Sequence, residues 1–215
     1  MPARPLAARP LAARALATCL AFAMAIPAAT MAMAAEWRET AHAYDVERIE
    51  TLGAAIAQGN DEAEGHGSGY EQAVAIQFIN APVGTFDDQA AIGAWQCRTI
   101  KVGGSLARLV VYDWFKCRIT RDSGGLVVEK LTGSQNFKGR LYTDGPNRRI
   151  LLAGGFHGYE KPRPYQAPDS ADGMSPDNRD KVAVAEMLGP DWLRFTFPWP
   201  ARESTYDIIE FRRDR

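Results

Sequence analysis

Two dipeptides twenty residues apart, Cys97-Arg98 and Cys117-Arg118, carry the two kinds of chemistry that stand out in this sequence. Paired thiols can close a disulfide, and paired guanidinium groups can hold an anion through charge-assisted hydrogen bonds. Lys116 adds a third cation beside the second arginine. Further on, Gly133-Ser134-Gln135 lies between two apolar runs and has two readings. It is a turn, with glycine at positive φ and Ser and Gln bonding the backbone, or it is a polar contact at a barrel mouth. The candidate binding residues are therefore Arg98, Lys116, Arg118, Ser134 and Gln135.

Other chemistry is poorly supported. Ser134, His157 and Asp180 or Glu203 are the residue types of a nucleophilic triad, but no Gly-x-Ser-x-Gly elbow presents the serine. No residue is assigned a catalytic role. His42, His66 and His157 have no ligand-pair spacing, so no metal is expected, and no motif calls for a cofactor. Gly65-x-Gly67-x-Gly69 looks like a phosphate loop, yet no strand precedes it and no Lys-Ser/Thr follows. Linker is the better reading there. Glu160 and Glu203 are indistinguishable from surface acids, and Trp192, Phe197 and Trp199 read as packing.

The cysteine count depends on the N-terminus. Arg4, Arg9 and Arg14 precede an apolar run from residue 15 to 29, and Ala32-Met33-Ala34 supplies a small-x-small cleavage pattern. Residues 1–34 are expected to be an export signal, and the mature protein to be periplasmic or secreted. Cys19 would leave with that signal. Cys97 and Cys117 would then be an even pair in an oxidising compartment, where a disulfide is the expectation. Setting aside the three signal arginines leaves 22 basic against 26 acidic residues, a net charge of −4. That argues against nucleic acid as a partner, and no further hydrophobic span is present.

The elements that would position these residues are legible from periodicity. Residues 36–60 read as a helix with Asp45 as N-cap, and residues 70–80 as a second short helix. From residue 92 short apolar or alternating runs are divided by Gly, Pro and Asp turns. Strands are expected at 94–102, 110–120, 126–131, 137–142, 149–154, 182–187, 193–198 and 206–212. Eight such strands suggest an up-and-down antiparallel barrel or a sandwich, and the fold class taken is mainly β with N-terminal helices (α+β): an eight-stranded antiparallel up-and-down barrel, preceded by one or two helices. The division is signal 1–34, helical segment 35–91 packing on the barrel, and barrel 92–215. Its long Pro-rich loop at 157–180 is expected to lack regular structure.

Strand alternation places Trp95, Cys97 and Thr99 on one face with Phe115, Cys117 and Ile119, and Arg98, Lys116 and Arg118 on the other. A tight hairpin at Gly103-Gly104 would set Cys97 opposite about Val110. Pairing with Cys117 instead requires a long or bulged connection. If the cysteines face each other, Arg98 lies opposite Lys116, and like charges across a sheet are unfavourable. Either Glu129 and Glu210 offset them from neighbouring strands, or the patch awaits an anion.

The series GAWQCRTIKVGG, FKCRI, KLTGSQNFKG, RRILLAGG, GPDWLRFTFPWP and ESTYDIIEF resembles an uncharacterised family of exported bacterial proteins, domain of unknown function forty-eight ninety-three. The resemblance runs from about residue 37 to the C-terminus and departs in the Pro-rich segment before Lys181. It implies export and a shared fold, but no activity. A second likeness is to lipocalin-type barrels, through Gly93-Ala94-Trp95. In that fold an arginine of the last strand covers the tryptophan, a part Arg212 or Arg213 would take. Together these lead to an exported, non-catalytic binding or envelope accessory module. The expected partner is a small anionic or apolar ligand, or an envelope protein. The alternatives are a small exported enzyme and an inhibitor-like barrel that binds another protein.

Overall fold

The structure, a computed structural model, describes residues 36–105, 108–166 and 179–213. The proposed signal lies outside them. A helical turn at 36–40 is followed by helices α1 (Ala43–Glu50), α2 (Leu52–Ala63), α3 (Gly69–Ile79) and α4 (Asp88–Ala91). The strands are β1 (Gly93–Val102), β2 (Leu109–Val111), β3 (Phe115–Asp122), β4 (Gly125–Lys130), β5 (Gln135–Thr143), β6 (Arg148–His157), β7 (Asp180–Gly189), β8 (Trp192–Pro198) and β9 (Tyr206–Arg213). From β3 to β9 each strand pairs antiparallel with the next, and β1 pairs with both β3 and β9. The sheet therefore closes into an eight-stranded up-and-down barrel, with β2 and β3 forming one interrupted staves-width of the wall. Among the described residues no helix is long and apolar enough to cross a membrane.

The interruption resolves the competition between the Gly-Gly turn and the cysteines. Ile100 pairs with Val111 and Cys97 with Phe115, so one extra residue is taken up at 112–114. The disulfide prevails over the tight hairpin: β1 and β2 are joined by a longer connection, with Val102 opposite Leu109, and Cys97 lies opposite Phe115 rather than Val110. Cys97 and Cys117 are bonded, with Cα atoms 5.8 Å apart. They are not directly opposite, because Cys117 pairs with Trp95 and Cys97 with Phe115. Gln96, not Arg98, therefore faces Lys116.

The barrel interior is one continuous apolar core, including Trp95, Ile119, Val128, Leu141, Leu151, Phe195 and Phe211. Small residues at Gly139, Ala153, Ala183 and Ala185 make room for the aromatic rings opposite, as an alternating large and small lining should. One end is sealed. Trp95 Nε1 donates to Ala91 O of α4 at 2.9 Å, and the Arg213 guanidinium lies 3.9 Å over the Trp95 ring. Arg213 also donates to Ala90 O and Ile92 O. A side chain at Gly93 (φ +140°) would collide with that guanidinium. Of the two arginines weighed from the sequence, Arg213 covers Trp95, and Arg212 lies over Trp192 outside.

The helices coat the outer face. Trp37 and Ile49 pack on Ile150, Leu152, Val182 and Val184. Ala55, Val74 and Phe78 pack on Ile100, Val102, Tyr206 and Ile208. This explains why Ile150-Leu151-Leu152-Ala153 is apolar without alternation: both faces of β6 are buried. More helices form than the one or two expected. The helix reaches past Gly59 to Ala63, since Gly59 is where Tyr206 packs against α2. Asp45 is not an N-cap; it is buried within α1, bonded by Arg48 at 3.0 Å and by Tyr165 Oη at 2.6 Å. Residues 158–166 of the long loop are turn and irregular backbone, and 167–178 lie outside the described residues.

Candidate functional site

At the end of the barrel opposite Trp95 the inward-facing series changes character. On β1 it runs Trp95, Cys97, Thr99, Lys101; on β4 Leu126, Val128, Lys130. On β5 and β7 it begins with Gln135 before Phe137 and with Lys181 before Ala183, and on β9 with Asp207 before Ile209. Five strands thus each contribute one charged or amide interior residue at the same end. They enclose a cavity of two adjoining lobes, about 280 and 230 Å³. The inner lobe is floored by Phe115, Phe137, Phe197 and Ile209, and Tyr112 lines it where the wall is interrupted. The outer lobe is bounded by His157, Arg179 and the loop from Pro200 to Glu203.

The charges are unevenly matched. Lys101, Lys130, Arg179, Lys181 and Arg202 line the lobes against Glu203 and Asp207, with Arg179 also paired to Glu160 at 3.0 Å. Lys101 Nζ meets Glu203 at 2.8 Å and Asp207 at 3.6 Å. Burial disfavours the Lys101 charge, but Asp207 and Glu203 outweigh it and raise its pKa. The hydrogen bond from Lys101 holds the Glu203 carboxyl below the usual range, and Glu203 itself adopts φ +78° in the loop. A non-glycine residue held there is backbone strain beside a cavity. Among the described residues Lys130 has no carboxylate partner. Its Nζ donates to Thr132 O and Gln135 O, both at 2.8 Å, and sits 4.1 Å over the Phe115 ring. Burial pushes its pKa down to about 8. Lys181 is also pushed down by burial.

The residues picked out from the sequence divide into two groups. Ser134 and Gln135 line the inner lobe, and Gly133 takes the expected positive φ of 97°. The three basic residues do not form a cluster. Arg98 is buried beneath α3, with Nε 2.6 Å from Glu210 Oε2, Nη1 2.6 Å from Tyr70 Oη, and Trp114 stacked on it. Arg118 pairs with Glu129 at 3.0 Å on the uncovered outer face, and Lys116 is exposed beside it. The acids at positions 129 and 210 thus offset the patch from neighbouring strands. Of the triad residue types, Asp180 is turned elsewhere, 4.0 Å from His42 and accepting from Gln166 N, whereas His157 and Glu203 line the outer lobe and Ser134 and Glu203 the inner one. Lys101, Lys130, Lys181 and Asp207 went unnoticed in the sequence, although the period-two interior series points at each of them.

A family model described as "Domain of unknown function (DUF4893)" matches residues 37–211. The chain belongs to the DUF4893 family. The match takes in the helical coat together with the barrel and its open end, and it names no activity for DUF4893 proteins. No curated protein matches this chain. Among solved structures, a redesigned β-barrel is similar over 62% of this chain and 100% of its own, at 8% identity and TM-score 0.39. Among the described residues of this DUF4893 protein no group of three or more His, Cys, Asp or Glu side chains is arranged to hold a metal ion.

Proposed function

We propose that the protein is an exported, non-catalytic binding module that takes a small ligand with an apolar body and an anionic head into the open end of its barrel. The observation that carries the reading is the composition of that end. A cavity floored by four apolar side chains is lined by five basic groups, one of them (Arg179) paired with Glu160, against Glu203 and Asp207, in a barrel filled and sealed at its other end. A concave, mostly apolar site with a few convergent polar groups is the usual form of a small-molecule pocket. The basic excess selects the sign of the head. The small-x-small pattern at residues 32–34 and the buried disulfide support an oxidising, extracytoplasmic location.

The probe is 8-anilinonaphthalene-1-sulfonate, which joins an aromatic body to an anionic head. Fluorescence titration of the disulfide-bonded protein is expected to show saturable binding. Lys130→Gln/Lys181→Gln should weaken it at least about tenfold, the worth of one charge-assisted hydrogen bond. Binding of the neutral N-phenyl-1-naphthylamine should change little. Equal affinity of wild type and the folded double variant for the sulfonate would overturn the reading.

A further inference from the structure

One amine in the cavity has no bonding partner among the described residues. Lys181 is the second residue of β7, in phase with the inward Ala183 and Ala185, and lines both lobes. Gly155 on β6 leaves the space its side chain occupies, since a Cβ there would lie 3.2 Å from Lys181 Cε. Unlike Lys101 it forms no ion pair, and unlike Lys130 it donates to no carbonyl. The nearby acids are engaged elsewhere: Glu203 and Asp207 face Lys101, and Ser204 Oγ meets Asp207 Oδ1 at 2.5 Å. Burial lowers its pKa, Asp207 opposes that, and Arg48 and Lys101 reinforce it. A desolvated lysine beside other cations has the surroundings that make an amine nucleophilic at neutral pH.

We infer that Lys181 is a carbonyl-reactive amine, and that the ligands of the open end are aldehydes or ketones that also carry an acidic group. The inference deepens the binding reading and takes from it the access of ligands to the cavity. The Nζ lone pair adds to the carbonyl carbon, forming the C–N bond while the π pair moves to oxygen. The proton lost from nitrogen is taken up by that oxygen. The resulting carbinolamine loses water as the nitrogen pair forms C=N, so carbonyl and amine become imine and water with no redox partner. The ligand's acidic group meets the basic excess of the lining, and Asp207 and Glu203 place carboxylates in the same cavity for the proton transfers. Water reverses the reaction, so the ligand is held and released unchanged, as a binding module requires.

The test is 4-formylbenzoate with cyanoborohydride at pH 7, which reduces the imine to a permanent secondary amine located by peptide mass mapping. The first adduct is expected on Lys181, at least about tenfold faster than on the exposed Lys116, Lys138 and Lys161. Benzaldehyde, lacking the carboxylate, should react more slowly at that position, and saturating anilinonaphthalene sulfonate should suppress the reaction. In Lys181→Arg, with the folded state verified by its melting transition, the fast adduct should vanish with no other lysine replacing it. Labelling of Lys181 no faster than the exposed lysines overturns the inference, and so does equal reaction with benzaldehyde. Saturable dye binding with unselective labelling leaves the binding reading standing and removes this one. Selective labelling without dye binding does the reverse.

Discussion

Arg98 and Arg118 occupy equivalent places in the sequence, each following a half-cystine of the same disulfide, yet their surroundings separate them. Arg98 lies beneath α3 with Glu210, which is almost wholly buried and also accepts from Arg212 Nε at 2.7 Å. Arg118 is half exposed and meets Glu129 across an uncovered strand pair. Removing one partner of a buried pair leaves the other charge desolvated and uncompensated, whereas an exposed pair is screened by water. Glu210→Gln is therefore expected to cost about 3–5 kcal/mol, and Glu129→Gln at most about 1 kcal/mol. Urea unfolding of both variants checks the contrast, and equal losses would contradict it. The same helical cover brings Arg98 its partners, Nε facing Glu210 and Nη1 facing Tyr70.

At the scale of elements, alternation in single strands was easy to read because one face of each is always interior. Trp95, Cys97, Phe115, Cys117 and Ile119 all point inward as their spacing implies. The interruption at 112–114 was implied only by two conflicting signals, and its position was not. Gly139 was silent in the sequence. It stands on β5 opposite Ala153, where an added methyl would run into Leu152 O and Ala153. Backbone on the neighbouring strand cannot swing aside as a flexible side chain can, so Gly139→Ala should cost about 1–3 kcal/mol. Gly53→Ala in α2, with nothing within 4 Å of the new methyl, should be neutral or stabilising. Thermal unfolding of the pair tests whether close strand packing, rather than glycine content, sets the difference.

At the scale of the whole molecule, the helices are attached to the barrel by apolar layers and by a few polar ties. Glu62, half-buried, is one of these. Its carboxylate accepts from Thr205 Oγ1, from Gly104 N at 2.7 Å and from Gln58 Nε2 at 2.8 Å, joining α2 to the β1–β2 turn and the approach to β9. These donors hold its pKa at about 2, below the ordinary 4.5. A carboxyl depressed by folding contributes stability that is complete above its unfolded value and is lost as pH falls through the folded one. The stability difference between wild type and Glu62→Gln should thus be full at pH 7 and close between about 4.5 and about 2. An unchanged difference at pH 7 and pH 2.5 would show that the tie does not act through the carboxylate charge.

The amino-acid sequence determined what local chemistry can determine. Turn residues and period-two runs marked the strands of the barrel, and two cysteines marked its staple. The likeness carried by Gly93-Ala94-Trp95 anticipated an arginine of the last strand over the tryptophan. What it left open depends on which residues closure brings together. Arg98 and Glu210 are over a hundred residues apart in the chain, and only the β1–β9 seam makes them partners. Lys101, Lys130, Lys181 and Asp207 each end an ordinary alternating run. They become one cavity only because eight strands of a closed barrel end at a common rim. The surroundings of an ionisable side chain are set by distant segments, so pairing, burial and reactivity were decided by the tertiary structure.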